Sequence, residues 1–172
     1  DATLNRVLNL SDKIKNGFLE WDAPAGEWTV IRFGYSTTGA EVSTASGQWQ
    51  GRVIDYTSEI HFNRYWDTHV DPLLKMIGNK AGKTLRFLQT DSFEAGGMNW
   101  SDNFEAEFVK RRGYDPIPYL PILAGKIIEN RETSNRFLTD LRKTLSDCIS
   151  DNHYRVFAER SKKYGIGIQP ES

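Results

Sequence analysis

Residues 84–100 read TLRFLQTDSFEAGGMNW, and this stretch decides the fold. Leu85, Phe87 and Gln89 alternate with Arg86, Leu88 and Thr90 in a short β-rich run, which predicts a buried strand. The run stops abruptly at Asp91, Ser92, Phe93 and Glu94, followed by Ala95 and the pair Gly96-Gly97. A strand that delivers two carboxylates into a glycine-rich loop is a common α/β device, because side chains at carboxyl-terminal strand ends surround a cleft. Asp91 and Glu94 are therefore the expected chemical centre.

The flanking segments extend this pattern toward both ends of the chain. Upstream, Ile60, Tyr65, Trp66, Val70, Leu73, Leu74 and Ile77 follow a period near 3.6, predicting a helix from Thr57 or Ser58 to Gly78 that Pro72 kinks or splits. Downstream, Asp102 and Glu105 have capping-box spacing, and Phe104 and Phe108 mark the buried face of a short helix stopping at Gly113. Pro116, Pro118 and Pro121 predict a rigid loop over 114–121. A long helix is expected from Thr133 or Ser134 to Gly165, with a stripe of Phe137, Leu138, Leu141, Leu145, Cys148, Ile149 and Phe157. Ile166 to Gln169 then resumes as a strand and delivers Pro170, Glu171 and Ser172 at its carboxyl end. Strand, carboxylate loop, helix, strand, carboxylate loop is a βαβ series and implies a parallel sheet or barrel.

The first 50 residues read differently, as a β-rich, loop-rich segment leading into residues 51–172. Asn16-Gly17 is a turn before a short strand over 18–21, and WTVIRFGY at 28–35 is the strongest predicted strand, apolar on both faces. Residues 40–51 form a long loop. A full (β/α)8 barrel needs about 200 to 250 residues, and about three of its strands are visible in 172. The expected fold is thus α/β, a partial (β/α)8 TIM-barrel-type catalytic domain behind a β-rich segment, and a piece of a larger enzyme.

Composition limits the partners. With 38% hydrophobic and 26% charged residues the chain can build one sizeable core. A net charge of −1 with interspersed signs offers no basic stripe, so neither nucleic acid nor a membrane surface is an expected partner. Cys148 is the lone cysteine, which excludes an intrachain disulfide and a thiolate metal cluster. No charged-then-apolar leader stands at Asp1, and no apolar run approaches the roughly 18 residues of a membrane span.

Several separated pieces resemble the α-L-rhamnosidase family of glycoside hydrolases, family 106. They are Leu19-Glu20-Trp21 with Pro24, the run from Gly26 to Tyr35, Thr38-Gly39, Val53-Ile54-Asp55-Tyr56, and Asp91-Ser92-Phe93-Glu94 with Asn99-Trp100. Further on come Phe108 to Tyr119, with Arg111-Arg112-Gly113-Tyr114-Asp115 at its core, and Gln169-Pro170-Glu171-Ser172. The resemblance implies a bacterial (β/α)8-type hydrolase, periplasmic or secreted. It would cleave terminal α-L-rhamnose from plant or pectic glycans, by inversion and with calcium assisting.

Glycosidases need one carboxyl group to protonate the leaving oxygen and another to activate water or attack the sugar. Glu94 and Glu171 are the glutamates at predicted carboxyl-terminal strand ends and form the candidate catalytic pair. If the family's second carboxylate lies beyond Ser172, Glu171 binds substrate or calcium instead. Asp91, Asn99 and Trp100 are candidate substrate-binding residues, with Trp100 and Trp49 both suited to stacking on a pyranose. Each has an ordinary structural alternative: a solvated loop carboxylate, an Asx turn at Asp91 and a core tryptophan; Arg111 and Arg112 suit either a carboxylated glycan or, more ordinarily, a solvated helix end. His61, His69 and His153 fall in predicted helices and receive no chemistry. The rival functions are a noncatalytic carbohydrate-binding or scaffold piece and a phosphate-binding α/β domain, which lacks the required glycine-rich loop with lysine.

Overall fold

In a computed structural model of the chain, which describes residues 1–43, 45–90 and 97–171, a short turn sets the first long helical run. The Asp55 carboxylate accepts hydrogen bonds from the Thr57 amide (2.8 Å) and the Thr57 hydroxyl (2.6 Å), an Asx arrangement that reverses the chain before the helix begins.

The elements in chain order are β1 (Ile14–Lys15), β2 (Phe18–Leu19), α1 (Glu59–Tyr65), α2 (Asp71–Ile77), β3 (Phe87–Thr90), α3 (Phe104–Arg112), α4 (Arg131–Ile149), α5 (Val156–Lys162) and β4 (Gly167–Pro170). A widened π turn, Trp66–Val70, joins α1 to α2, and a second, Ser150–Arg155, joins α4 to α5. The predicted single helix over 58–78 is therefore a continuous helical run with one irregular turn. That turn lies directly before Pro72, which has no N–H to return to the Thr68 carbonyl. Gly78, at φ +54°, ends the run as expected.

The chain divides into two compact units. The first comprises residues 1–34 and 105–144. The predicted turn at Asn16-Gly17 closes a hairpin between β1 and β2: both residues take positive φ (51° and 84°), the type I′ geometry that suits two paired strands. Phe108, Phe137, Tyr114 and Tyr119 pack ring on ring, with Tyr119 stacked on Phe137 at 5.4 Å. The proline-rich segment is a 3-10 run, Ile117–Ala124, because prolines at its start and interior fix φ while removing α-helical donors. Tyr114 donates to Asp140 (3.0 Å); burial, then that carboxylate, push its hydroxyl well above the usual tyrosine range.

The expected strand over 28–35 is absent. Its residues have strand-favouring side chains, but no described residue pairs with its backbone, and a strand without a neighbour leaves its polar groups unladdered. Val30, Phe33 and Tyr35 are exposed rather than buried on both faces.

The second unit, residues 35–104 and 145–172, holds the parallel pair β3–β4 in the register Phe87↔Gly167, Leu88↔Ile168, Gln89↔Gln169 and Thr90↔Pro170. This is the predicted βαβ relation. Leu85, Leu88 and Ile168 pack against a core of Phe62, Trp66, Leu74, Val156, Phe157 and Ile166. The predicted buried strand is covered on one face alone: Phe87 is 56% exposed, and Leu88 packs on the core. Periodicity fixes which residues share a face but not which face turns inward. Among the described residues there are two two-stranded sheets, so the described residues show a mixed α/β fold and no barrel.

Polar contacts lock this unit. Asn152 donates to the Thr57 carbonyl (2.7 Å, buried), Arg160 bonds Asn63 (2.8 Å) and Asp67 while lying over the Trp66 ring, and Tyr164 donates to Asp71. Lys75, at 2.6 Å, and Tyr164 together lower the pKa of the Asp71 carboxyl. Gly82, at φ +76°, lies against the turn after α5, where an added Cβ would stand 2.9 Å from the Tyr164 carbonyl oxygen.

Two outcomes follow from this packing. Gly82→Ala meets both backbone strain and a backbone oxygen, whereas Gly78→Ala, also at positive φ, meets open space. In urea denaturation Gly82→Ala should cost about 1 kcal/mol or more beyond the Gly78→Ala penalty. His153 is buried against Tyr56 (4.2 Å) and Phe62 (4.9 Å), neither ring nitrogen has a hydrogen-bond partner, and burial lowers its pKa to about 4. The unfolded chain, with a histidine near the ordinary value of about 6.5, binds the extra proton first. Stability should therefore fall as pH drops from about 6.5 toward 4, by up to about 1.4 kcal/mol per pH unit, and His153→Leu should flatten that slope.

Candidate active site

The candidate site is built on the carboxyl-terminal ends of β3 and β4. Gly167 N donates to the Arg86 carbonyl (2.9 Å) and Glu171 N to the Thr90 carbonyl (3.1 Å), so the ladder runs past the last paired strand residues. Both donors have the same parity along the strand. Pro170 has the other parity, so its nitrogen faces away from β3 and its missing N–H removes nothing from this ladder. Side-chain parity follows from the same register. Leu88 and Ile168 face the core, which leaves Phe87, Gln89, Gly167, Gln169 and Glu171 on the opposite face.

Glu171 is therefore presented at a strand end, exposed, with its backbone fixed by Thr90 and its carboxylate accepting from Gln89 Nε2 at 3.4 Å. Gln89 is a contact that sequence reasoning missed. Its signal was the parity of Gln89 within the β-rich run combined with that of Gln169 and Glu171 in the last strand, which becomes informative only once the two registers are joined. Asp91 and Glu94 lie outside the described residues, and with them the separation of the two candidate carboxylates.

Asn99 and Trp100 lie on the segment entering α3. Asn99 is exposed, and Trp100 is half-buried with its ring 4.8 Å from the fully buried Phe104. Among the described residues, no hydrogen bond or ring contact links either of them to Glu171. Next to them, Tyr35 donates to Asp102 at 3.2 Å, and that bonded carboxylate raises the Tyr35 pKa. Asp102 is thus engaged by Tyr35. The Phe104 amide, at the start of α3, bonds the Ser101 carbonyl at 3.1 Å.

Other expected residues fall elsewhere. Trp49 is 76% exposed on a 3-10 turn, Gly47–Trp49, in a loop closed by the Glu41↔Arg52 bridge, so it is not a core tryptophan. Arg111 and Arg112 are not a solvated helix end: both are half-buried, Arg111 paired with Glu107 (3.0 Å) and Arg112 bonded to the Thr144 hydroxyl (2.9 Å). Among the described residues, no group of three or more His, Cys, Asp or Glu side chains comes together to hold a metal ion. Among the described residues, no helix is long and apolar enough to cross a membrane.

Comparison with known proteins gives this geometry its context. A provisionally named beta-glucuronidase of Formosa agariphila is 36% identical over 166 residues, 96% of this chain but 14% of that protein. The solved structure of a rhamnosidase from Novosphingobium sp. PP1Y superposes with a TM-score of 0.83 at 30% identity, covering 98% of this chain and 17% of that one. The chain therefore spans about a sixth or less of the length of these relatives. The glycoside hydrolase family 106 description, alpha-L-rhamnosidase, matches residues 2–172, and the chain belongs to that family.

Proposed function

We propose that this chain contributes catalytic carboxylates to an enzyme that hydrolyses terminal α-L-rhamnosyl linkages in plant or pectic glycans, with Glu94 and Glu171 as the pair. The observation that carries this reading is the adjacency of the two strand ends. Thr90 pairs with Pro170, Glu171 follows directly on one strand, and the Asp91–Glu94 sequence follows directly on the other. Membership of a rhamnosidase family supports glycoside hydrolysis as the class of reaction.

In the proposed reaction, one carboxyl group gives its proton to the glycosidic oxygen as the bond from that oxygen to the anomeric carbon breaks. The other takes a proton from a water molecule, whose oxygen bonds the anomeric carbon from the opposite face and inverts it. Asp91 and Asn99 hold sugar hydroxyls, and the accessible part of the Trp100 ring stacks on a C–H face of the pyranose.

The test uses the longest natural polypeptide that carries these residues. Glu94→Gln and Glu171→Gln should each lower kcat on an aryl α-L-rhamnoside by about 10²- to 10⁴-fold. The variant lacking the acid should keep most of its turnover when the leaving group needs no proton, while the variant lacking the base should lose turnover on every substrate. NMR should find the β-anomer of rhamnose as the first product. Rhamnoside binding with no turnover in the native polypeptide would instead indicate a noncatalytic carbohydrate-binding module.

A further inference from the structure

We propose that Gln89 is a positioning residue that holds the Glu171 carboxylate, an inference that rests on the catalytic reading of Glu171. Gln89 and Gln169 are directly paired across the parallel strands, and Glu171 is the next residue toward the carboxyl end on the same face. That diagonal is within reach of a long side chain. Gln89 Nε2 donates to Glu171 Oε1 at 3.4 Å, and the Glu171 amide is tied to the Thr90 carbonyl at 3.1 Å. The carboxylate is thus held at both its root and its tip.

The chemistry suits the role. An exposed glutamate has three rotatable side-chain bonds, and a reacting carboxylate must be fixed in direction to be useful. A carboxamide supplies a hydrogen-bond donor without the full charge of lysine or arginine, so it orients the group while leaving it free to exchange a proton. The floor of this face is equally defined. Gly167 has no side chain, and the Phe87 ring occupies the space, its carbons 2.8 Å from where a Cβ would stand. Gln89 is itself exposed, so its side chain has no core to fill and its substitution should leave the fold intact.

The experiment again uses the longest natural polypeptide. Gln89→Leu should lower kcat on an aryl α-L-rhamnoside by about 10- to 100-fold with KM and thermal midpoint nearly unchanged. Gln89→Glu keeps the shape but offers a second carboxylate in place of the donor, and at neutral pH it should lose as much. A native kcat in Gln89→Leu, alongside a Glu171→Gln variant that is inactive, would overturn the role of Gln89 and leave Glu171 standing. A Glu171→Gln variant with native kcat would overturn both. Independently of turnover, the Gln89 side-chain amide resonances should move on Glu171→Ala, and their failure to move would refute the contact on which the proposal is built.

Discussion

The parallel pairing of β3 with β4 is the constraint on which the second unit depends. The pairing brings residues 80 positions apart into register and turns Leu88 and Ile168 toward one helical core. Because successive side chains alternate, turning those two inward forces Gln89, Gln169 and Glu171 to the other face. The core and the candidate site are therefore two sides of one two-stranded ribbon. Non-local pairing of this kind is entropically expensive and needs support from packing on at least one face. That support comes from Phe62 and Trp66 on the run before β3 and from Val156 and Phe157 on the helix before β4.

The close approach at Gly82 and the Asp71–Tyr164 and Arg160–Asp67 contacts have a common effect. Each ties the segment just before β4 to the segment just before β3. A slip of one residue in either strand would exchange its core and outward faces, and these contacts oppose it. Most of them are partly exposed, so their individual energies are modest and their contribution is to register. The buried bond from Asn152 to the Thr57 carbonyl is different, since breaking it strands a buried polar group. His153, in the same irregular turn, pays a desolvation cost that only its neutral form avoids.

Much of this was legible in the sequence, for definite reasons. The glycine stops at 78, 113 and 165 and the Asn16-Gly17 turn are local signals set by backbone sterics, and the structure carries them; of the predicted helical stripe, Trp66, Val70, Leu74 and Ile77 face the core, while Ile60, Tyr65 and Leu73 are exposed. The β3–helix–β4 order predicted the parallel pair. What failed was non-local. Residues 28–35 have strand-forming side chains but no partner among the described residues, and propensity alone does not make a strand. The inward face of β3 depended on which helices came to pack on it. The π turns at 66–70 and 150–155 left no mark beyond Pro72, and the exposure of Trp49 reflects a loop closed by backbone bonds that no motif announces. For the site, Glu171 was found at a strand end as expected, while Gln89 became visible only through register.

The most direct test of the account is a crystal structure of the longest natural polypeptide carrying these residues, measuring the distance between the carboxyl groups of Glu94 and Glu171. The account predicts that both open into one cleft, separated by about 6.5 to 9.5 Å, the range of an inverting pair. A much larger separation, or a Glu171 carboxyl turned out of the cleft that holds Glu94, would contradict it.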